Sequence, residues 1–501
     1  MASCSDHGVG RWWKHFVIIL TPLVLLLPLL LIPVDKIPTK ANQCLYVMLL
    51  MAVYWCTEAL SLAVTACIPI FMFPMLGILK ASEVCAQYLT ATVMMFVGGI
   101  MVALAVEKCN LHKRIAVGIL HLVGTKPLCD ETNVGYKTTG DAKLDKFAKG
   151  MTLAVAYAAN TGGTATLIGT PPNTILKQHA DDIWDAHLQM ESPITFTSWL
   201  IIGMPVAIIN FIIVWLWLTV FFNGIRALGP SCAKSTEDDR AIKRVIEKEY
   251  RSLGKLSFAE LVVSVMFLAM VLLWFFRSPS FMTGWANLDG IKPGYTHDAV
   301  VSIFIAFLLC IIPSKFPTCR KDDTGPVKTL LDWNTIHSKV PWGVVFLIGG
   351  GLSLAKGSTA SGLSKWIAEG LTVMSNWPAW VMVFVICLIT AFLTEITSNS
   401  ATCTILMPIM SSLAKVIGYN PLYLMIPVGL STSFAFMLPV ATPPNAIAFS
   451  FGRLKILDMV KAGFILNFTC VGIVTLCIHT WGENVFKFDV VPWNATITSV
   501  A

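Results

Sequence analysis

Apolar residues in this chain come in long continuous runs, and polar residues gather between them. Charge-poor runs lie at 16–34, 59–79, 84–106, 150–176, 193–222, 261–276, 299–314, 341–355, 377–394, 396–414, 416–452 and 462–482. Several reach the roughly 20 residues that an α-helix needs to cross a bilayer. Membrane β-barrel strands alternate apolar and polar residues, and these runs do not. The pattern predicts an all-α polytopic membrane protein. Two runs carry the same interruption, Gly169-Thr170-Pro171-Pro172-Asn173 and Ala441-Thr442-Pro443-Pro444-Asn445. A Pro-Pro pair removes two backbone donors and is expected to stop the preceding helix. Irregular backbone at membrane depth is tolerated where it is buried in protein or lines a wet cavity. Paired broken helices in two halves point to a secondary transporter.

Lys and Arg placement gives an orientation. Arg11 and Lys14 put the N-terminus inside. The run 16–34, with no small-residue cleavage site, reads as a first span rather than a removed signal. Residues 44–57 return, 59–79 go out, and 84–106 come back to Lys108, Lys113 and Arg114. The segment 107–125 is too short an apolar run to span and reads as an amphipathic surface helix. A loop at 126–149 follows inside, with Lys126, Lys137, Lys143, Lys146 and Lys149. The run 150–176 crosses out to a loop bearing Asp181, Asp182 and Asp185, and 193–222 returns. The segment 226–256 is charged and cytoplasmic, with a helical pattern at 241–249.

The second half runs in the opposite sense. Residues 261–276 go out, 299–314 come in, 341–355 go out and 357–370 are amphipathic. Next, 377–414 holds two apolar arms around the polar segment Thr394–Ser400. The run 416–452 comes in to Arg453, Lys455 and Lys461, and 462–482 leaves the C-terminus outside. There, Asn494-Ala495-Thr496 is a glycosylation sequon, whereas the sequon at Asn467 lies within a span and should stay unused. The organisation expected is 1–43 for the N-terminus and first span, then inverted repeats at 44–225 and 257–483. A cytoplasmic segment at 226–256 separates them, and a tail at 484–501 ends the chain. Gly98-Gly99 corresponds to Gly350-Gly351, and the hairpin 377–414 has no counterpart. Asn399 lies 48 residues beyond Gly351 (399 − 351), and the same offset from Gly99 lands on Phe147, in a lysine-rich loop.

Composition narrows the class without changing it. The chain is 55% hydrophobic and 13% charged, which excludes an ordinary soluble domain. Its net charge of +7 concentrates in loops and is not a nucleic-acid footprint. The fourteen Cys form no C-x-x-C pair and read as small membrane hydrophobes. No metal motif or nucleophile–base pair suggests an enzyme. Glu58 and Glu395 each follow a Thr near a helix end or hairpin tip. A structural partner, Lys or a free backbone N–H at the break, is the expectation for both, with an ion or proton role as the alternative.

Thr397-Ser398-Asn399-Ser400-Ala401-Thr402 carries the richest chemistry. Such a tip offers hydroxyl and amide oxygens, which a hard cation such as Na⁺ prefers. It also offers helix N-terminal N–H groups, which favour an anion. Packed membrane helices use the same residue types simply to hydrogen-bond one another. The adjacent duplicated break favours the ion-binding reading.

Several motifs together make the chain resemble the divalent-anion:sodium symporters of the solute carrier 13 group. They are Tyr54–Leu60, Asn110–Ala116, Gly162–Thr166, Ser398–Thr402 and Leu438–Ile447. The resemblance implies an elevator-type transporter with broken helices and re-entrant hairpins, working as a homodimer in the plasma membrane. It implies Na⁺ as the co-transported ion, no organic cofactor, and a di- or tricarboxylate as substrate. By motif it places Gly169, Asn173, Ser398, Asn399, Ala441 and Asn445 at sodium sites. Thr170, Pro171, Ser400, Thr442 and Pro443 fall near substrate. Thr442 favours carboxylates over sulfate. The family carries a Ser-Asn-Thr tip in both halves, and the first is missing here. A transport-deficient partner of intact protomers is therefore a second reading, and a sulfate transporter a third.

Overall fold

The computed structural model describes residues 9–31, 37–123, 142–224, 237–279, 282–292, 295–315, 328–371, 376–439, 441–450 and 454–493. They are helical nearly throughout. In chain order the helices are α1 (Val9–Leu31), α2 (Thr39–Thr57), α3 (Leu62–Ala66), α4 (Ile68–Met75), α5 (Ala81–Cys85), α6 (Ala91–Lys108), α7 (Leu111–Val123), α8 (Ala142–Gly162), α9 (Pro171–Leu188), α10 (Phe196–Asn223) and α11 (Glu237–Ser252). There follow α12 (Phe258–Phe275), α13 (Asp298–Ile311), α14 (Trp333–Lys339), α15 (Trp342–Ser361), α16 (Leu363–Gly370), α17 (Ala379–Ile396), α18 (Asn399–Ile417), α19 (Pro421–Ser431), α20 (Pro443–Ser450), α21 (Ile456–Cys477) and α22 (Glu483–Phe486). Among the described residues, seven helical segments are long and apolar enough to cross a membrane: 81–108, 196–222, 258–275, 342–361, 379–396, 399–417 and 456–486.

The hairpin expected at 377–414 is α17 and α18, joined by Thr397-Ser398. The amphipathic segment 107–125 holds α7, and the pattern at 241–249 lies within α11. Other expectations need correction. The run 59–79 is two short helices, α3 and α4. Pro69 near the start of α4 cannot continue a helix begun before it. The stretch 357–370 is not one helix, because α15 ends at Gly362, whose φ of +80° closes it in the left-handed region. Part of the lysine-rich loop lies outside the described residues, but α8 begins at Ala142 and takes in Lys143, Lys146 and Lys149. The acid-bearing loop after 176 is helical too. Asp181, Asp182 and Asp185 sit on α9, where Asp181 accepts from the wholly buried Lys177 one turn earlier at 2.6 and 2.8 Å.

The largest correction concerns the Pro-Pro pairs. They do not end helices; they begin them. Pro171 and Pro172 open α9, and Pro443 and Pro444 open α20. The first turn of a helix has no use for those N–H groups, and proline's fixed φ suits it. The runs 150–176 and 416–452 are therefore each broken before the pair, at 163–170 and, among the described residues, at 432–439 and 441–442.

The chain divides into two compact units, residues 1–93, 155–214 and 341–501, and residues 94–154 and 215–340. The first holds both breaks and the tip. Part of its apolar core is built from α2 to α5 with α15 and α18, around Met51, Trp55, Phe73, Leu347, Leu354 and Ala401. Gly350 packs there against Ala66, and Gly351 against Thr404, too closely for a Cβ. In the second unit, Gly98 meets Ser302 in the same way. Arg114 on α7 is fully engaged. It bonds the Glu260 carboxylate at 2.8 and 3.2 Å and the carbonyls of Leu253, Gly254 and Lys255. Arg277 and Asp298 form a buried pair at 2.6 Å.

Candidate ion- and anion-binding site

The first break starts where α8 ends, at Gly162-Gly163. A single 3-10 turn, Gly163–Ala165, leads to an extended Thr166. Gly169 folds back so tightly that a Cβ there would strike the Gly163 carbonyl, so only glycine fits. Asn173 is buried and its Nδ2 donates to the carbonyls of Gly163 (3.2 Å) and Thr166 (2.9 Å). Trp199 Nε1 donates to the Thr164 carbonyl at 3.1 Å. Two buried oxygens at this break, Asn173 Oδ1 and Thr174 Oγ1, have no hydrogen-bond partner among the described residues.

The second break is braced far more completely. The Glu395 carboxylate, 2% exposed, accepts from the backbone N–H of Phe436, Met437 and Leu438 at 2.6–3.1 Å, and from Asn467 Nδ2 at 2.9 Å. Tyr157 Oη donates to the Phe436 carbonyl at 2.6 Å. Asn160 Nδ2 donates to the Ala435 carbonyl at 2.9 Å and to Asn445 Oδ1 at 3.2 Å. Asn445 Nδ2 donates to the carbonyls of Ala435 (2.9 Å) and Leu438 (3.1 Å). Residues 435–438 are non-helical, yet side chains from α8, α17 and α20 satisfy their polar groups, and Asn467 on α21 in turn holds Glu395. Unpaired, each buried group would cost roughly 1–3 kcal/mol.

At the tip, Ser398 is the extended N-cap of α18, and Ser400 and Thr402 are buried. The Thr394 hydroxyl lies 2.7 Å from Asn399 Oδ1 and 2.8 Å from the Thr432 carbonyl. Three oxygens from α17, α18 and the second break thus converge. The tip also meets the first break: Cys403 Sγ donates to the Pro172 carbonyl at 3.4 Å. Two turns on, His179 Nε2 and Ser411 Oγ are 3.0 Å apart. The two contacts advance together along both helices, so α9 and α18 lie side by side and parallel. Their N-terminal ends, each equivalent to roughly half a positive charge, therefore face the same way.

The residues singled out in the sequence gather at these breaks. Ala441 and Thr442 are buried, Pro443 and Gly169 exposed, and Thr170 and Pro171 intermediate. Thr442 Oγ1 accepts from Asn445 N–H at 3.4 Å. Asn173 and Asn445 spend their amides on backbone carbonyls. Glu395 has the structural partner expected of it, backbone N–H groups at the break. Glu58 ends α2 in the left-handed region (φ 48°), and its carbonyl accepts from Lys14 Nζ at 2.9 Å. Asn467 is buried against Glu395, so its sequon is out of reach, while Asn494 lies outside the described residues. Sequence reasoning missed Tyr157, Asn160 and Thr394. Thr394 could have been found, because it belongs to the polar segment ending in Ser400. Tyr157 and Asn160 gave no signal beyond lying in an apolar helix.

Known proteins place the chain in a family. The family described as "Sodium:sulfate symporter transmembrane region" matches residues 10–139 and 129–488. The match is in two pieces that overlap at 129–139, residues outside those described. The Na(+)/citrate cotransporter of Rattus norvegicus is 37% identical over 580 aligned positions, covering all of both chains. Solute carrier family 13 member 2 of Homo sapiens is 38% identical, over 98% of this chain and 96% of its own. Na(+)/dicarboxylate cotransporter 3 of Rattus norvegicus is 34% identical over the same shares. Each alignment is longer than this 501-residue chain, so the relatives carry residues with no counterpart here. A full-length relationship, two broken helices and a Ser-Asn-Ser tip converge on one conclusion: the chain belongs to the sodium:sulfate symporter family, the divalent-anion:sodium symporters of solute carrier family 13.

Proposed function

We propose that the chain is a sodium-coupled symporter of di- or tricarboxylate anions of the succinate and citrate class. It is an elevator-type transporter built of two inverted repeats with re-entrant elements, and it works as a homodimer in the plasma membrane. The observation that carries this reading is the parallel pairing of α9 and α18. It puts two positive helix ends side by side, next to the oxygens of Thr394, Asn399 and Thr432. An anion is favoured at the helix ends and a hard cation at the oxygens. A dianion cannot enter a low-dielectric site unless donors and cations meet its charge. That requirement couples the two species. Ser398, Asn399 and Ala441 serve the second sodium site directly, and Asn445 through the carbonyls it holds. Gly169 and Asn173 serve the first. Ser400, Thr442 and Pro443 from the second half, and Thr170 and Pro171 from the first, contact substrate. The names of the three relatives, citrate and dicarboxylate cotransporters among them, support the carboxylate class. Sodium-gradient uptake of succinate, citrate and sulfate into proteoliposomes tests it, and sulfate uptake alone would overturn the substrate class.

A second reading, a transport-deficient form that modulates intact protomers, is favoured by the orphaned oxygens of Asn173 and Thr174 at the first break. The missing hairpin would have supplied part of that site. Unaided uptake is expected to be weak. Inserting a Ser-Asn-Thr hairpin of about 40 residues, matched to its second-half counterpart, between Lys126 and Cys129 should raise it at least tenfold. Equal, robust uptake with and without the insertion would eliminate the second reading.

A further inference from the structure

We infer that Asn160, supported by Tyr157, is a positioning residue that ties the first break to the second and sets the sodium response of the second. Neither residue belongs to a break or to the tip. Both sit on α8, three positions apart and therefore on one face, and both are buried (8% and 0% exposed). They donate to consecutive carbonyls of the second break, Tyr157 to Phe436 and Asn160 to Ala435. Asn160 also donates to Asn445 Oδ1, which fixes which way that amide points. With Oδ1 accepting, Asn445 Nδ2 must face the carbonyls of Ala435 and Leu438.

Asn160 stands three residues before Gly163, about 4.5 Å along the helix axis. Gly163 is the carbonyl that Asn173 holds in the first break. The two Asn residues of the duplicated motif are thus joined from Asn173 to Gly163, where the 3-10 turn begins, back through the last turn of α8 to Asn160, and on to Asn445. A shift at either break moves the hydrogen-bond partners of the other. The one other side chain bonded to residues 435–438 among the described residues is Glu395, itself held by Asn467, and no hydrogen bond among the described residues joins either to the first break. Among the described side chains that bond this segment, only those on α8 and α20 can transmit such a shift, and α20 begins directly after the second break.

The functional half of this inference rests on the symporter reading, and the test separates the two. The full chain is purified in nanodiscs. Hydrogen exchange is followed in potassium buffer and in rising sodium, with succinate as the probe anion. Asn160→Ala, and the similarly shaped Asn160→Asp that lacks the donor, should speed exchange at 435–446 at least tenfold in potassium. Peptides from the middle of α21 should stay within twofold. Tyr157→Phe should act in the same direction, less strongly, and covers the case in which an Asn160 variant fails to fold. Both Asn160 variants should raise the sodium midpoint of protection at least fivefold, while the succinate midpoint at saturating sodium moves less than twofold. Unchanged exchange at 435–446 would overturn the link. Faster exchange with an unchanged sodium midpoint would reduce Asn160 to a packing role and overturn the positioning claim. If the parent chain shows no sodium response, the symporter reading fails by itself, and exchange in potassium still decides the link.

Discussion

The Thr394 hydroxyl reaches two acceptors, Asn399 Oδ1 at 2.7 Å and the Thr432 carbonyl at 2.8 Å, with one proton to give. At any moment one of these oxygens goes without it. A cation placed among the three would satisfy all of them at once. Thr394→Val keeps the shape and removes the oxygen, and should raise the half-saturating sodium concentration at least tenfold. Thr394→Ser should stay within about threefold of the parent. Sodium titrations of succinate binding decide this, and equal midpoints for Val and Ser would discount Thr394.

Asn399→Ala and Thr442→Ala should each abolish sodium-dependent succinate or citrate binding. Each deletes an oxygen or donor from a dry site with few substitutes. A hydrogen bond to a charged group contributes roughly 1.5–3 kcal/mol, which is about one to two orders of magnitude in affinity. Equilibrium binding with and without sodium is the measurement, and wild-type-like sodium dependence in both variants would sink the assignment.

Glu395→Ala should destabilise the protein severely rather than only weaken binding. It strands three backbone N–H groups and the Asn467 amide, each at roughly 1–3 kcal/mol if left unpaired. Glu395→Gln keeps the shape but turns an NH₂ toward donors, so it should fall between the parent and Ala. Melting temperatures in detergent should follow that order.

Lys108 and Asp332 pair in the second unit, as do Lys339 and Glu107 at 2.6 Å. The Lys108 ammonium, with help from Thr335, holds the Asp332 carboxyl down at about 2. A depressed carboxyl contributes stability above its unfolded pKa of roughly 3.9 and loses it as pH falls toward 2. Between pH 5 and 8 the contribution is constant. Both partners are exposed enough for water to screen the pair. Asp332→Asn should therefore lower the melting temperature only slightly and leave its pH profile over that range unchanged. A pH-dependent difference between parent and variant there would contradict the assignment.

Expressed in eukaryotic cells, the chain should carry glycan at Asn494 and none at Asn467. The N-terminus should be cytosolic. Glycosidase shifts of single-site variants and protease protection test this, and a cytosolic C-terminus would reverse the whole orientation.

The legibility of the sequence was uneven for physical reasons. Long apolar runs announce helices, because every backbone group in lipid needs an internal partner. The tip at Ser398–Ser400 and both Pro-Pro pairs stood out because polar or helix-restricting residues are conspicuous among apolar ones. The side of the pair on which the chain breaks did not, since proline is compatible with the start of a helix as well as with the end of one. That ambiguity displaced both breaks toward the N-terminus of their motifs. Glu395 could be anticipated as a partner for free amides, because a buried carboxylate needs donors. Tyr157 and Asn160 could not. Their partners lie 279 and 275 residues away in the chain, and no local pattern records so distant a match.

The pairing of α9 with α18 also dictates an order of assembly. Cys403 meets Pro172 across 231 residues of intervening chain, and Ser411 meets His179 across 232. During synthesis the earlier helix leaves the ribosome long before its companion exists. Until then the break that precedes α9, with the unpartnered oxygens of Asn173 and Thr174 beside it, has no α18 wall on that side and must be sheltered by the insertion machinery or by water. The second half thus completes its own part of the site and also supplies the wall that the first half lacks.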